Sequence, residues 1–170
     1  ERRLAGPAGL DERLAALADA LAAGTGADTV VLRLADRPSG RLVARAVASA
    51  SPALAAELEG TWIAIDESGG ELASMHSAAA GLRGVADRAG AGSVLAVPVE
   101  AGGERLGVVE LLRAAGAFSQ AERTLAKLAA SQMAVLAGWR AAAEPDERRG
   151  GEALDVVGDA LAGGAEGSHV

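Results

Sequence analysis

Two apolar runs, 93–99 (Ser-Val-Leu-Ala-Val-Pro-Val) and 105–112 (Arg-Leu-Gly-Val-Val-Glu-Leu-Leu), stand on either side of Ala101, Gly102, Gly103 and Glu104. Glycine takes the positive φ that a tight hairpin turn requires, so this segment predicts an antiparallel hairpin. Pro98 removes a ladder donor, which confines it to a sheet edge or a bulge. A second hairpin is predicted upstream. Val30, Leu32 and Leu34 alternate with Val31 and Arg33, residues 36–40 have turn chemistry, and 41–48 follow as a strand with Arg41, Val43, Arg45 and Val47 on one face. Residues 61–65 read as a third, short strand.

Helices are predicted around these strands. Leu10, Leu14, Leu17 and Leu21 recur at helical spacing over 10–23. Ser51 caps a short helix with Pro52 in its first turn, and Gly60 ends it. Residues 66–70 read as a polar loop, 71–80 as helix, and 81–92 as a glycine-rich loop with at most one helical turn. Ser119 and Glu122 form a Ser-x-x-Glu capping box that opens a long helix running to about residue 142. Leu125, Leu128, Gln132, Val135, Leu136 and Trp139 lie on or near one stripe of it.

Composition excludes several classes. The chain has no Cys, hence no disulfide framework, thiolate metal site or cysteine nucleophile. A net charge of −7 and three aromatic residues (Trp62, Phe118, Trp139) argue against nucleic acid as a partner. No apolar run approaches the roughly 18–20 residues of a membrane span, and no signal peptide opens the chain. A cytoplasmic location and no membrane partner are expected. Alanine supplies 43 of the 170 residues, and a single Lys stands against fifteen Arg, a bias suggesting GC-rich coding.

The chain opens on Glu1, which suggests a module cut from a longer protein. The expected organisation is a lead-in over 1–9, one domain over 10–142, a linker over 143–151 broken by Pro145, and a helix within 152–170. Shifted by 140 residues, the tail matches Glu12, Leu14, Asp19, Ala20, Leu21, Ala22, Gly24 and Val30 with Glu152, Leu154, Asp159, Ala160, Leu161, Ala162, Gly164 and Val170. Two explanations stay open: chance likeness between Ala-rich helices, or the start of a second copy of the domain.

The order helix, hairpin, short helix, short strand, loop-rich stretch, hairpin, long helix resembles the GAF domain. The residues that carry the likeness are "LADALAAGTGADTVVLRL" (17–34), "SVLAVPV" (93–99), "GERLGVVELL" (103–112) and "FSQAERTLAKLAASQMAVL" (118–136). The resemblance implies an α+β fold, a GAF- or PAS-like central antiparallel sheet with the N- and C-terminal helices packed on one face. It places a small-molecule pocket between the other face and the stretch 61–92. Candidate wall residues are Trp62, Ile65, Met75, His76, Leu82, Ser93 and Val109. It also implies homodimerisation through the terminal helices, for which Leu10, Leu14, Leu17, Leu21, Leu128, Gln132, Val135 and Trp139 are candidates. For Trp139, ordinary core packing is an equal alternative.

The chemically marked members of that family are excluded residue by residue. Bilin attachment and methionine sulfoxide reduction need Cys. The cyclic-nucleotide signature of the phosphodiesterase type needs Asn, which is absent. Haem-binding members place a His in the loop matched by 87–92, and none is there. His76 has no second ligand at metal-binding spacing, and Ser74, His76 and Asp66 lack a nucleophile elbow or oxyanion-hole motif. Gly90 and Gly92 precede a strand and lack the third glycine or the Lys of a phosphate loop.

The expected function is therefore a non-catalytic sensory module, without metal or cofactor, that binds an unidentified small molecule. A downstream signalling domain in the same parent chain would read it. Family habit makes that parent a sensor histidine kinase. The alternatives are a ligand-free GAF-fold dimerisation or spacer module, or the effector domain of a transcriptional regulator.

Overall fold

A computed structural model describes residues 7–65 and 80–143, with side-chain surroundings for 9–65 and 81–138. The chain divides into two compact units, Glu1–Leu136 and Ala137–Val170. The first holds the whole sheet; of the second, only the end of the last helix is described. The elements are α1 (Pro7–Thr25), β1 (Thr29–Asp36), β2 (Arg41–Ser49), α2 (Pro52–Leu58), β3 (Trp62–Ala64), α3 (Ala80–Ala89), β4 (Ser93–Ala101), β5 (Glu104–Arg113) and α4 (Gln120–Ala143).

The strands form one antiparallel sheet in the order β3-β2-β1-β5-β4, so the two central strands are β1 and β5. Each hairpin has the chemistry its sequence predicts. Gly102 and Gly103 both take positive φ (59° and 78°) in the two-residue turn between β4 and β5, which matches the twist of the flanking strands. Pro98 lies on an edge strand, one residue before a register shift at Val99/Glu100.

Alternation sorts the strand residues onto two faces. Val30, Leu32, Leu34, Leu95, Val97, Val99, Val109 and Leu111 are buried on one of them. On this outer face α1 lies over β1 and β2, burying Leu14, Ala18 and Leu21. The C-terminal helix α4 joins it, where Leu125 of α4 approaches Gly24 of α1. α4 buries Ala126, Ala129, Ala130 and Met133. At the entry to α4 the capping box is formed: Glu122 N donates to Ser119 Oγ at 3.2 Å, and Ser119 N donates to a Glu122 carboxylate oxygen at 2.7 Å. Buried Phe118 lies beneath the Arg113 guanidinium, which pairs with Glu122.

The inner face carries the second core. Val31, Leu42, Ala44, Val94, Ala96, Val108 and Leu112 of the sheet pack with Leu58 of α2, Ile63 of β3, and Leu82, Val85 and Ala86 of α3.

Two local features depart from the sequence expectation. Residues 80–89 form a ten-residue helix, although glycine lowers helix propensity by about 1 kcal/mol per residue. Burial of Leu82, Val85, Ala86 and Ala89 along one stripe outweighs the cost of Gly81 and Gly84. In β2, the register passes from Leu32↔Ala46 to Arg33↔Ala44, leaving Arg45 as an extra residue. That bulge sends Val47 to the inner face, opposite Val43, and directs Arg45 to Asp11 of α1 at 2.7 Å.

Candidate functional site

The inner face has one charged feature among the described residues. Arg33 stands in the middle of β1 and Glu110 in the middle of β5, each flanked by apolar residues. The register pairs Arg33 with Val108 and Val31 with Glu110, so the two charges are diagonal neighbours on the same face. Their relative exposures are 0% and 1%. Arg33 Nε donates to Glu110 Oε1, and Arg33 Nη1 donates to the Thr61 carbonyl at 2.7 Å and to Thr61 Oγ1 at 3.3 Å.

The pair is incompletely bonded. Arg33 Nη2 and Glu110 Oε2 are buried without a hydrogen-bond partner. Burial holds the Glu110 carboxyl above its ordinary pKa, partly opposed by the charge and hydrogen bond of Arg33. Small residues flank both charges: Ala44 is the register partner of Arg33 on β2, and Ala96 that of Glu110 on β4. Across from them lie Leu82, Val85 and Ala86 of α3. The arrangement is a polar point in an apolar core, with one unbonded donor and one unbonded acceptor.

The structure separates the residues that the resemblance assigned to a pocket. Leu82 is buried in the inner core and Ile65 packs against it. Val109 lies on the outer face beneath the terminal helices, because it pairs with Leu32 and alternates with Glu110. Ser93 pairs with Arg113 and also belongs to the outer side, two residues before Leu95. Trp62 is 52% exposed, on the β3 side opposite Ile63, with Arg41 stacked on its ring at 3.8 Å. One residue of register decides each of these placements. Met75 and His76 lie outside the described residues.

The terminal-helix candidates also divide. Leu14 and Leu21 are core residues, and Leu10 and Leu17 are half-buried, so the α1 stripe is committed inward. On α4 Met133 is buried and Leu136 half-buried, but the expected stripe faces outward. Leu128 and Val135 are 57% and 52% exposed, Leu125 is exposed, and Gln132 is exposed between them. The side chain of Trp139 is outside the described set. Among the described residues no group of three or more His, Asp or Glu is placed to hold a metal, and no helix is long and apolar enough to cross a membrane.

The pair was not among the sequence candidates. Its signal was present all the same: Arg33 and Glu110, of opposite sign, each interrupt an apolar run, 30–34 in β1 and 108–112 in β5.

Comparisons with known proteins agree on the architecture. The sequence profile of the GAF domain matches residues 9–136. The GAF domain of a phosphoenolpyruvate-protein phosphotransferase from Coxiella burnetii superposes with a TM-score of 0.64 at 19% identity, covering 85% of this chain and 89% of that one. The GAF-B domain of DevS from Mycobacterium smegmatis gives 0.55 at 22% identity, covering 85% and 98%. A domain of a putative two-component sensor histidine kinase from Sinorhizobium meliloti gives 0.59 at 17% identity, covering 81% and 96%. At these identities the likeness is one of fold. No curated protein matches the chain.

Proposed function

The chain belongs to the GAF domain family, a family of sensory and regulatory modules, and on that premise we propose that it is a non-catalytic sensor of a bacterial signalling protein. It takes a small molecule at the inner face of its sheet and passes the change to a homodimer formed through α4. The relay ends in an output domain of the same parent chain, a sensor histidine kinase being the host we favour. We assign it a cytoplasmic location and no nucleic-acid or membrane partner, consistent with a net charge of −7.

One observation carries this reading. The central strands β1 and β5 present the incompletely bonded Arg33–Glu110 pair to the inner face, and their alternate residues, Leu32 and Val109 among them, to the helical layer on the other. A side-chain rearrangement on the inner face therefore acts on the sheet against which α1 packs, and α1 in turn meets α4 at Gly24 and Leu125. Differential affinity of a ligand for two arrangements of that layer is all a population shift requires.

The output surface is the exposed stripe of α4. Leu125, Leu128, Gln132 and Val135 follow spacings of three, four and three, the a/d pattern of a coiled-coil seam, and the same series reaches Trp139. The opposite side of the helix, through Ala126, Ala129, Ala130 and Met133, is already used inside the domain. Light scattering combined with a thermal-shift screen of metabolites tests the proposal. The expected result is a dimer stabilised by one class of metabolite. A dimer that no metabolite stabilises would leave the spacer reading, and a monomer at high micromolar concentration would sink the relay.

A further inference from the structure

Arg33 and Glu110 hold more hydrogen-bonding capacity than the described protein atoms use. Nε and Nη1 of Arg33 are engaged with Glu110 Oε1 and with Thr61, while Nη2 and Glu110 Oε2 are buried and unpartnered. A guanidinium presents its donors in a rigid planar fork, and Nε and Nη2 share one edge of it. Nη2 shares its carbon with the engaged Nε, and Oε2 shares its carbon with the engaged Oε1, so the free donor and the free acceptor both adjoin the contact that joins the two residues. Leaving such atoms unsatisfied is costly, and an apolar pair of similar volume is often at least as stable. A purely structural account of the pair is thus unfavourable.

The chemistry of the two free atoms defines what they can hold. An ion would leave an excess charge in an apolar core, because guanidinium and carboxylate already balance. A neutral group that accepts with one atom and donates with the next satisfies both. We infer that the pair is the recognition point for a neutral, planar molecule presenting a carbonyl oxygen beside an N–H, such as a lactam, a cyclic imide or a ureide. Its carbonyl accepts from Arg33 Nη2 and its N–H donates to Glu110 Oε2. Ala44 and Ala96 flank the pair with small side chains, and Leu82 and Val85 supply an apolar cover for a ring. Since both charged residues are buried, entry requires α3 to lift, and Gly81 and Gly84 make that ten-residue helix weak in its own right. This inference rests on the sensor reading for the location of the ligand, and it adds the ligand's class.

The test uses the full chain and 2-pyridone, with N-methyl-2-pyridone and benzoate as comparators, followed by ¹H–¹⁵N NMR of the Arg33 Nε–H and the Val31 and Val108 amides. A saturable shift of those signals by 2-pyridone is expected. N-methyl-2-pyridone, which lacks the donor, should bind at least about tenfold more weakly, and benzoate should not saturate. Glu110→Gln, which keeps the shape, and the double variant Arg33→Met/Glu110→Leu should both lose the shift of the Val31 and Val108 amides while keeping a dispersed spectrum. Equal binding of the N-methyl compound, a shift that survives in both variants, or no saturation at the solubility limit would each overturn the assignment. A metabolite that stabilises the domain and leaves the Arg33 Nε–H unmoved would overturn it too, with the sensor reading intact.

Discussion

Removing one member of the buried pair should damage the fold far more than removing both. In Glu110→Leu the Arg33 guanidinium keeps its contacts to Thr61 and loses the only counter-charge described for it, in a site with 0% exposure. In Arg33→Met the Glu110 carboxylate is left with none. Breaking a buried pair from one side costs about 3–5 kcal/mol, a large share of the roughly 5–15 kcal/mol that holds a domain together. The double variant places two apolar side chains among Val31, Val108, Ala44 and Ala96, and should fall within about 1 kcal/mol of the parent or be more stable.

Urea denaturation followed by circular dichroism reads this directly, since the midpoint should fall by about 2 M for each single variant at an ordinary slope. The pH dependence has a definite sign. Burial raises the Glu110 pKa in the folded state, so its contribution is fully present below the unfolded carboxylate value and is lost as pH rises through the folded one. Without Arg33 the upward shift is larger. The gap between Arg33→Met and the parent should therefore widen as pH rises above the unfolded carboxylate value, by up to about 1.4 kcal/mol per unit. Single variants within about 1 kcal/mol of the parent, a double variant as costly as the sum of the singles, or a gap flat in pH would refute the reasoning.

Other perturbations have equally definite outcomes. Gly107→Ala puts a Cβ 2.2 Å from the backbone oxygen of Arg33, where only backbone movement can relieve it; a loss of about 1–3 kcal/mol in urea midpoint analysis is expected. Ser119→Ala removes the acceptor for Glu122 N and should lower stability by about 1 kcal/mol. The Glu122 carboxylate is held below its ordinary pKa by the Ser119 backbone N–H and by Arg113, so its contribution is present above the unfolded value and fades as acid titrates it. Glu122→Gln should flatten the acid limb of thermal melts taken from pH 5 to pH 3. Leu128→Glu with Val135→Glu alters only exposed positions, and should leave the melting temperature within a few degrees while converting the dimer to monomer by light scattering.

Much of the fold was legible because it depends on local chemistry. The alternating strands, the Gly102–Gly103 turn, the Ser51 and Ser119 caps and the edge position of Pro98 each follow from residues within a few positions of one another. What was hidden depended on partners distant in sequence. The helix at 80–89 forms against its glycines because the inner sheet buries its apolar stripe. The bulge at Arg45 reverses the face of Val47, and no local pattern announces it. On α4 the stripe expected to pair across a dimer is exposed at Leu125, Leu128, Gln132 and Val135, while Ala126, Ala129, Ala130 and Met133 are the buried side. The candidate pocket suffered most. Val109 and Glu110 are adjacent, and only pairing with β1 tells which of them faces inward.

The central claim is a relay through paired α4 helices, and cross-linking tests it most directly because the chain has no native Cys. In a two-fold pair of parallel helices, a seam residue faces its own copy. Under mild oxidation Gln132→Cys should give a disulfide-linked dimer, at a yield changed by a bound ligand, while Ser131→Cys, one residue off the seam, should form no disulfide cross-link. Equal cross-linking at both positions, or none at either, would contradict the account.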